Sequence, residues 1–321
     1  MPGRDFRLAA DIVLELCPDP VPFPELPMRD AASGMIGRTI GRLELPIGLD
    51  ADGWRLTGGR SGQQATAARW WRHDLDDFEE LADGHAGPVK IALTGPWTLA
   101  AQLLGPHPTM NHALADSGAC RELGQAMALA AGELVAQFRL RLTRDIWLQI
   151  DEPLIGAVLT GRMARFSGLR NHRIPGRDEI LMAWRAITEA VAAAGGRRLW
   201  LHSCAPDCPV ELARRAGFNT LALDIGQVAS RDLDPLAELL ATGGELACGC
   251  WPTDRVSTPT ADQIAGRAAE WLTQLGLPAD LLAARVIMTP ACGLGTWPIE
   301  SATELLRQLG RATPRLAERL N

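Results

Sequence analysis

The sequence predicts an α/β fold, and within that class a (β/α)8 TIM barrel, with residues 1–321 forming a single domain. Three observations carry this. Short, nearly continuous apolar runs recur along the chain, as strands of a covered parallel sheet do. Helical patterns fill the intervals between them, with no polar linker to split the series. Neither a G-x-G-x-x-G turn nor a Walker A loop opens a helix, which argues against an open nucleotide-binding sheet.

The elements follow in order. The opening stretch MPGRDFRLAADIVLEL carries acids within its apolar run and makes a poor signal peptide. Val89–Thr94 reads as a strand that ends at Thr94-Gly95, and Cys120–Leu140, rich in Ala, Leu and Glu, as a helix. Ile146–Asp151 is the next strand. Glu179–Ala194 is helical and stops at Gly195-Gly196. Strands at Leu199–Cys204, Thr220–Ile225, Glu245–Cys250 and Val286–Thr289 then alternate with helices at Pro209–Ala216, Leu233–Ala241, Ala261–Leu275 and Glu300–Leu309. A closed barrel needs eight strands, and six are legible. The expectation is therefore an incomplete first strand, either lost or completed by residues upstream of Met1.

Composition bounds the function. With 47% hydrophobic residues, 321 positions can bury a large core. The net charge of -6 comes from intermixed signs. No basic stripe suits nucleic acid and no polybasic cluster suits a membrane surface. No apolar run reaches the ~18 residues of a membrane helix. Seven cysteines form no regular framework, which points to a reducing compartment, the cytoplasm.

In a barrel the C-terminal strand ends converge on one face, where active sites are built. His202 and Cys204 close one strand, Asp224 the next, and Cys292 lies just beyond a later one. Positions two apart on a strand share a face, so His202 and Cys204 can serve one ion. One imidazole, two thiolates and one carboxylate suit tetrahedral zinc. The plainer reading makes the cysteines buried hydrophobes and His202 a core histidine. Asp151 and Glu152 end another strand. Adjacent residues face opposite ways, so at most one of them meets the site; the plainer reading is a helix cap and a solvated acid. Cys248 and Cys250 read as buried strand residues. His172, in FSGLRNHRIPGRD, reads as surface or lid, and His73 as a solvated helix start.

Four stretches resemble the cobalamin-independent methionine synthase family, in its catalytic C-terminal barrel. LTGPWTLA is similar to its L-T-G-P-x-T segment and LQIDEPLI to Q-I-D-E-P-A-L. LHSC matches the H-x-C zinc motif, and TPACGLG is similar to N-P-D-C-G-L. They run in family order from about Lys90 to Gly295. The resemblance implies zinc held by His202, Cys204 and Cys292, with Asp224 where the family has the longer Glu. It implies homocysteine as the acceptor thiol, its amine held by Asp151, with Glu152, Thr94 and Glu25 as further substrate contacts. Glu25 lies in a stretch similar to the family's G-E-x-x-R-x-D-M. The family's proton-handling His is replaced, near its place, by Asp254. The family's G-S-x-P start is missing, and the chain has no room for the N-terminal barrel that assists methyl-folate binding. The implied product is methionine. The implied donor is a methyl-folate or, favoured here, a methylated corrinoid protein. Two alternatives stand beside this. One is a lyase like the uroporphyrinogen decarboxylases of the same superfamily, with Arg29 and Arg38 taking a polycarboxylate. The other is a non-catalytic zinc- or thiol-binding homologue.

Overall fold

The computed structural model of the chain describes residues 1–106, 111–165, 168 and 171–320. Nine strands are formed among the described residues: β1 (Val21–Pro22), β2 (Ile47–Asp50), β3 (Gly53–Leu56), β4 (Val89–Thr94), β5 (Ile146–Asp151), β6 (Arg198–Ser203), β7 (Thr220–Asp224), β8 (Glu245–Trp251) and β9 (Val286–Pro290). The helices are α1 (Phe6–Leu16), α2 (Met35–Ile40), α3 (Gly62–Leu81), α4 (Pro96–Gln102), α5 (Ser117–Leu142), α6 (Ile155–Leu159), α7 (Arg177–Ala193), α8 (Val210–Ala216), α9 (Leu233–Ala241), α10 (Ala261–Leu272), α11 (Ala279–Arg285) and α12 (Ile299–Leu320). All six strands read from the sequence are present. The region before Val89 adds α1, α3 and the antiparallel β2–β3 hairpin, which apolar periodicity alone left unread.

Seven strands pair in parallel in the order β1-β4-β5-β6-β7-β8-β9. The alternation of residues has a clear consequence. Leu148, Ile150, Leu199, Leu201, Leu221 and Leu223 point outward into the main core under the helices. Trp147, Trp200, Ala222 and Ala247 pack together on the inner face, with Ile287 against them. Two-residue periodicity therefore puts Gln149, Asp151 and His202 on that inner face as well.

The expectation of a closed eight-stranded barrel is corrected here. Among the described residues β9 does not pair back to β1, and the sheet is a curled half-barrel with two edges. The physical reason is the first strand. β1 has two residues and pairs with β4 only through Val21↔Val89 and Pro22↔Lys90. Across the gap the chain makes contacts of another kind. The Met1 amino group donates to the Glu25 carbonyl at 2.6 Å. A Cβ on Gly295 would stand 2.6 Å from Pro27 and 3.8 Å from the Met1 carbonyl. No helix among the described residues is long and apolar enough to cross a membrane.

Candidate metal centre and active site

The parallel register brings the strand ends to one level. Thr94, Asp151 and His202 sit side by side across β4, β5 and β6. His202 Nδ1 lies 3.0 Å from the Ala222 carbonyl of β7. A carbonyl only accepts, so Nδ1 carries the proton and Nε2 is left with its lone pair. That second contact orients the ring as a ligand. His202, Cys204 and Cys292 offer donor atoms that all lie within 4.8 Å of one another. The two sulfurs are 3.2 Å apart, and neither forms a disulfide. Cys292 is exposed and Cys204 partly buried, so the centre opens toward solvent on the Cys292 side.

The electrostatics agree with that geometry. The Cys204 thiol, then the His202 imidazole, hold the Cys292 thiol well down, at about 4, against the opposing effect of burial. Cys204 moves up, chiefly through the same sulfur pair and then by burial. Burial would lower His202, but Cys292, Asp151 and the Ala222 carbonyl outweigh it and raise the imidazole. One imidazole nitrogen and two sulfurs converging from two strand ends are the donor set that suits zinc, so the residues present fit that metal.

Asp224 ends β7 as expected, but its carboxylate stands outside the 4.8 Å group. Its Oδ1 accepts the Gly226 amide at 2.8 Å, which turns it onto its own loop. Asp254 is exposed in the segment after β8. It contributes, after burial and beside Cys292, to raising the Asp224 carboxyl.

The Asp151/Glu152 pair divides as strand alternation requires. Asp151 is on the inner face, 8% exposed, with burial pushing its carboxyl up to about 6. Glu152 is corrected as a substrate contact. It is 0% exposed, and its oxygens accept the Trp97 amide (3.1 Å), the Thr98 amide and hydroxyl (each 2.7 Å) and the Trp184 indole N–H (3.2 Å). It caps α4 rather than facing the mouth. Gly95 makes room for it, since a Cβ there would lie 2.3 Å from the Glu152 carboxyl. Thr94 is corrected likewise. It is 1% exposed. Its hydroxyl donates to the Met35 carbonyl and its amide to Thr39 Oγ1, each at 2.8 Å, so it ties β4 to α2.

Glu25 is half-buried and ion-paired with Arg38 at 2.8 Å. It acts electrostatically on both Asp151 and Lys90. Arg29 pairs with Asp74 at 3.0 Å and lies 4.2 Å over the Trp70 ring. Both arginines that would serve a polycarboxylate are therefore already paired with acids of this chain.

Two histidine readings change. His172 is 5% exposed, and its Nε2 lies 2.9 Å from His112 Nδ1. Phe166, Ser167, Leu169 and Arg170 of its loop lie outside the described residues. His73 is solvent-facing but within α3, 3.2 Å from Asp77, rather than at a helix start. Lys90 and Gln149 escaped the sequence reading altogether. The signal was there: Gln149 stands two positions before Asp151, and Lys90 is a charge inside an apolar strand.

A barrel-like sheet with side chains able to hold a metal at its C-terminal mouth suits a class of enzyme, and the comparisons agree with it. The family model described as "Cobalamin-independent synthase, Catalytic domain" matches residues 88–314. The chain belongs to this family; it is methionine synthase-like, and a methyltransferase. No curated protein matches the sequence. Among solved structures, a B12-independent methionine synthase from Shewanella sp. W3-18-1, in complex with selenomethionine, has a TM-score of 0.63. It is 14% identical, over 98% of this chain and 87% of its own. A methyltransferase from Methanosarcina mazei has a TM-score of 0.59 at 14% identity, over 97% and 86%. At these identities the likeness is one of fold.

Proposed function

We propose that the chain is a zinc-dependent thiol alkyltransferase that methylates homocysteine to give methionine. The observation that carries this reading is the convergence of His202, Cys204 and Cys292 at the mouth, beside a buried, inward-facing Asp151. Zinc held by those three residues would keep a bound substrate sulfur deprotonated and nucleophilic at neutral pH. The chain's own groups do the rest. His202 is locked by Ala222 and presents Nε2. Asp151, on the strand next to His202 and in register with it, takes the substrate ammonium group as an ion pair. Glu25, itself ion-paired with Arg38, still acts electrostatically on Asp151. Asp254, exposed near Asp224, exchanges protons with solvent. Holding sulfur and amine at two fixed points aligns the thiol for in-line attack on a methyl carbon, a proximity effect. The donor is a methylated corrinoid protein or a methyl-folate. The paired states of Arg29 and Arg38 weigh against the lyase alternative.

The first test is metal content. Purified protein is expected to hold about one zinc per chain, and Cys204→Ala or Cys292→Ala to lose it, because two remaining ligands bind zinc weakly. Full zinc in Cys292→Ala overturns the site. The second test incubates zinc-loaded protein with homocysteine and either methylcobalamin or 5-methyl-tetrahydrofolate. Methionine is the expected product, and the donor that supports it identifies the methyl source. No methionine from either donor overturns the homocysteine reading.

A further inference from the structure

Inside the half-barrel a hydrogen-bonded line climbs from the sheet's lower edge to its mouth. Lys90 Nζ donates to Gln149 Oε1 at 2.9 Å. Gln149 Nε2 donates to Asp151 Oδ1 at 2.6 Å. Gln149 and Asp151 share a face because they stand two apart on β5. Lys90 is in register with Trp147, one step below Gln149, and reaches up diagonally with its ammonium 5.5 Å over the Trp200 ring.

The chemistry of the three groups gives the line a direction. An ammonium group has donors and no acceptor. The Gln149 amide must therefore turn its oxygen toward Lys90 and its NH2 toward Asp151. That NH2 occupies Oδ1. No described residue donates to Oδ2, and Asp151 retains some exposure at the mouth. A lysine in direct contact with Asp151 would neutralise it and compete with any incoming cation. With a neutral amide between them, the lysine's charge stays at a distance while the carboxylate is held.

We propose that Lys90 is the positioning residue of the amine subsite: acting through Gln149, it decides which oxygen of Asp151 is presented to the substrate's ammonium group. The proposal rests on the reading of Asp151 as the amine partner, given above. Neither Lys90 nor Gln149 touches the substrate. Without Lys90 the amide is free to flip, and a flipped Gln149 sets its oxygen against the carboxylate instead of a donor.

The test uses two ligands that differ only in the amine: methionine and 4-(methylthio)butanoate. Each is titrated calorimetrically into zinc-loaded full-length protein. Wild type is expected to prefer methionine, and Asp151→Asn to lose that preference. Lys90→Met and Gln149→Leu should each weaken methionine about three- to tenfold, the worth of one hydrogen bond, and leave the amine-free ligand unchanged. The double variant should equal the single ones, since both remove the same line. Lys90→Arg, which keeps a donor at that place, should retain the preference and serves if Lys90→Met fails to fold. Two results overturn the proposal: losses that add in the double variant, or an equal loss for both ligands. A wild type without preference, or an Asp151→Asn variant that keeps it, overturns the amine reading itself, whatever Lys90 does.

Discussion

Glu152 shows how much one side chain can hold. It accepts four hydrogen bonds, three of them from the first turn of α4, in a space closed to solvent. Replacing it by Gln puts an NH2 group against donors, and about 1–3 kcal/mol of stability should be lost, measured by denaturant unfolding. The pH dependence has a definite sign. Burial pushes the carboxyl up to about 7, against an ordinary value of 4.5, with the Thr98, Trp97 and Trp184 donors opposing. A folded-state pKa above the unfolded one means that this group's contribution is complete below 4.5 and declines as pH rises through about 7. The wild-type advantage over Glu152→Gln should therefore be larger at pH 4.5 than at pH 8. An advantage that grows with pH would show the carboxylate to be the favoured form. Gly95 belongs to the same contact. Gly95→Ala drives a methyl to 2.3 Å from the Glu152 carboxyl and should cost about 1–3 kcal/mol, as overpacking does.

Between elements, a pair of histidine rings joins two stretches far apart in sequence. His112 follows α4, His172 precedes α7, and their rings meet at 2.9 Å. Burial, then the neighbouring His112 and Arg165, depress His172 to about 4. A depressed histidine contributes above its unfolded value of 6.5, and that contribution is lost as pH falls through about 4. Acidification should loosen this contact first, read as faster amide exchange at His172, whose N–H is bonded to Met163. Unchanged exchange there down to pH 4 would rule it out. The strands depend on a different device. A Cβ on Gly249 would lie 2.6 Å from the Leu223 carbonyl and 2.8 Å from Ala291 Cα. Gly249→Val should therefore push β7 and β9 apart and lower zinc content together with stability, since Asp224 and Cys292 flank that approach.

At the scale of the molecule, the sheet has two edges of unlike strength. β5 to β8 are paired on both sides, while β1 has two residues and β9 pairs on one side only. All five residues of β9 are partly exposed. Protection against hydrogen exchange should be greatest in β5, β6 and β7 and least in β1 and β9. Protection as strong in β1 as in β6 would mean that the barrel closes in solution. The candidate metal centre straddles the gradient, with His202 and Cys204 beside the sheet's centre and Cys292 beyond the β9 edge. Zinc should therefore protect β9 more than β6, seen by exchange with and without a chelator.

The sequence by itself determined the alternation of six parallel strands with helices, and it singled out His202, Cys204 and Cys292, whose donor atoms the fold brings together. Each is a local signal: apolar runs, turn residues, and side chains two apart on one face. It determined the Asp151/Glu152 division only as an either-or, because alternation says that one faces in without saying which. Tertiary structure decided that, since only the placement of the first turn of α4 against the Glu152 carboxylate makes it the cap. It also decided that Asp224 turns onto Gly226, that Thr94 is spent on α2, and that Arg29 and Arg38 are paired. Each outcome depends on a partner between 2 and about 60 positions away, and periodicity carries no information about such partners. Closure of the sheet was decided there too, because it depends on how far two edges stand apart after every other strand has paired.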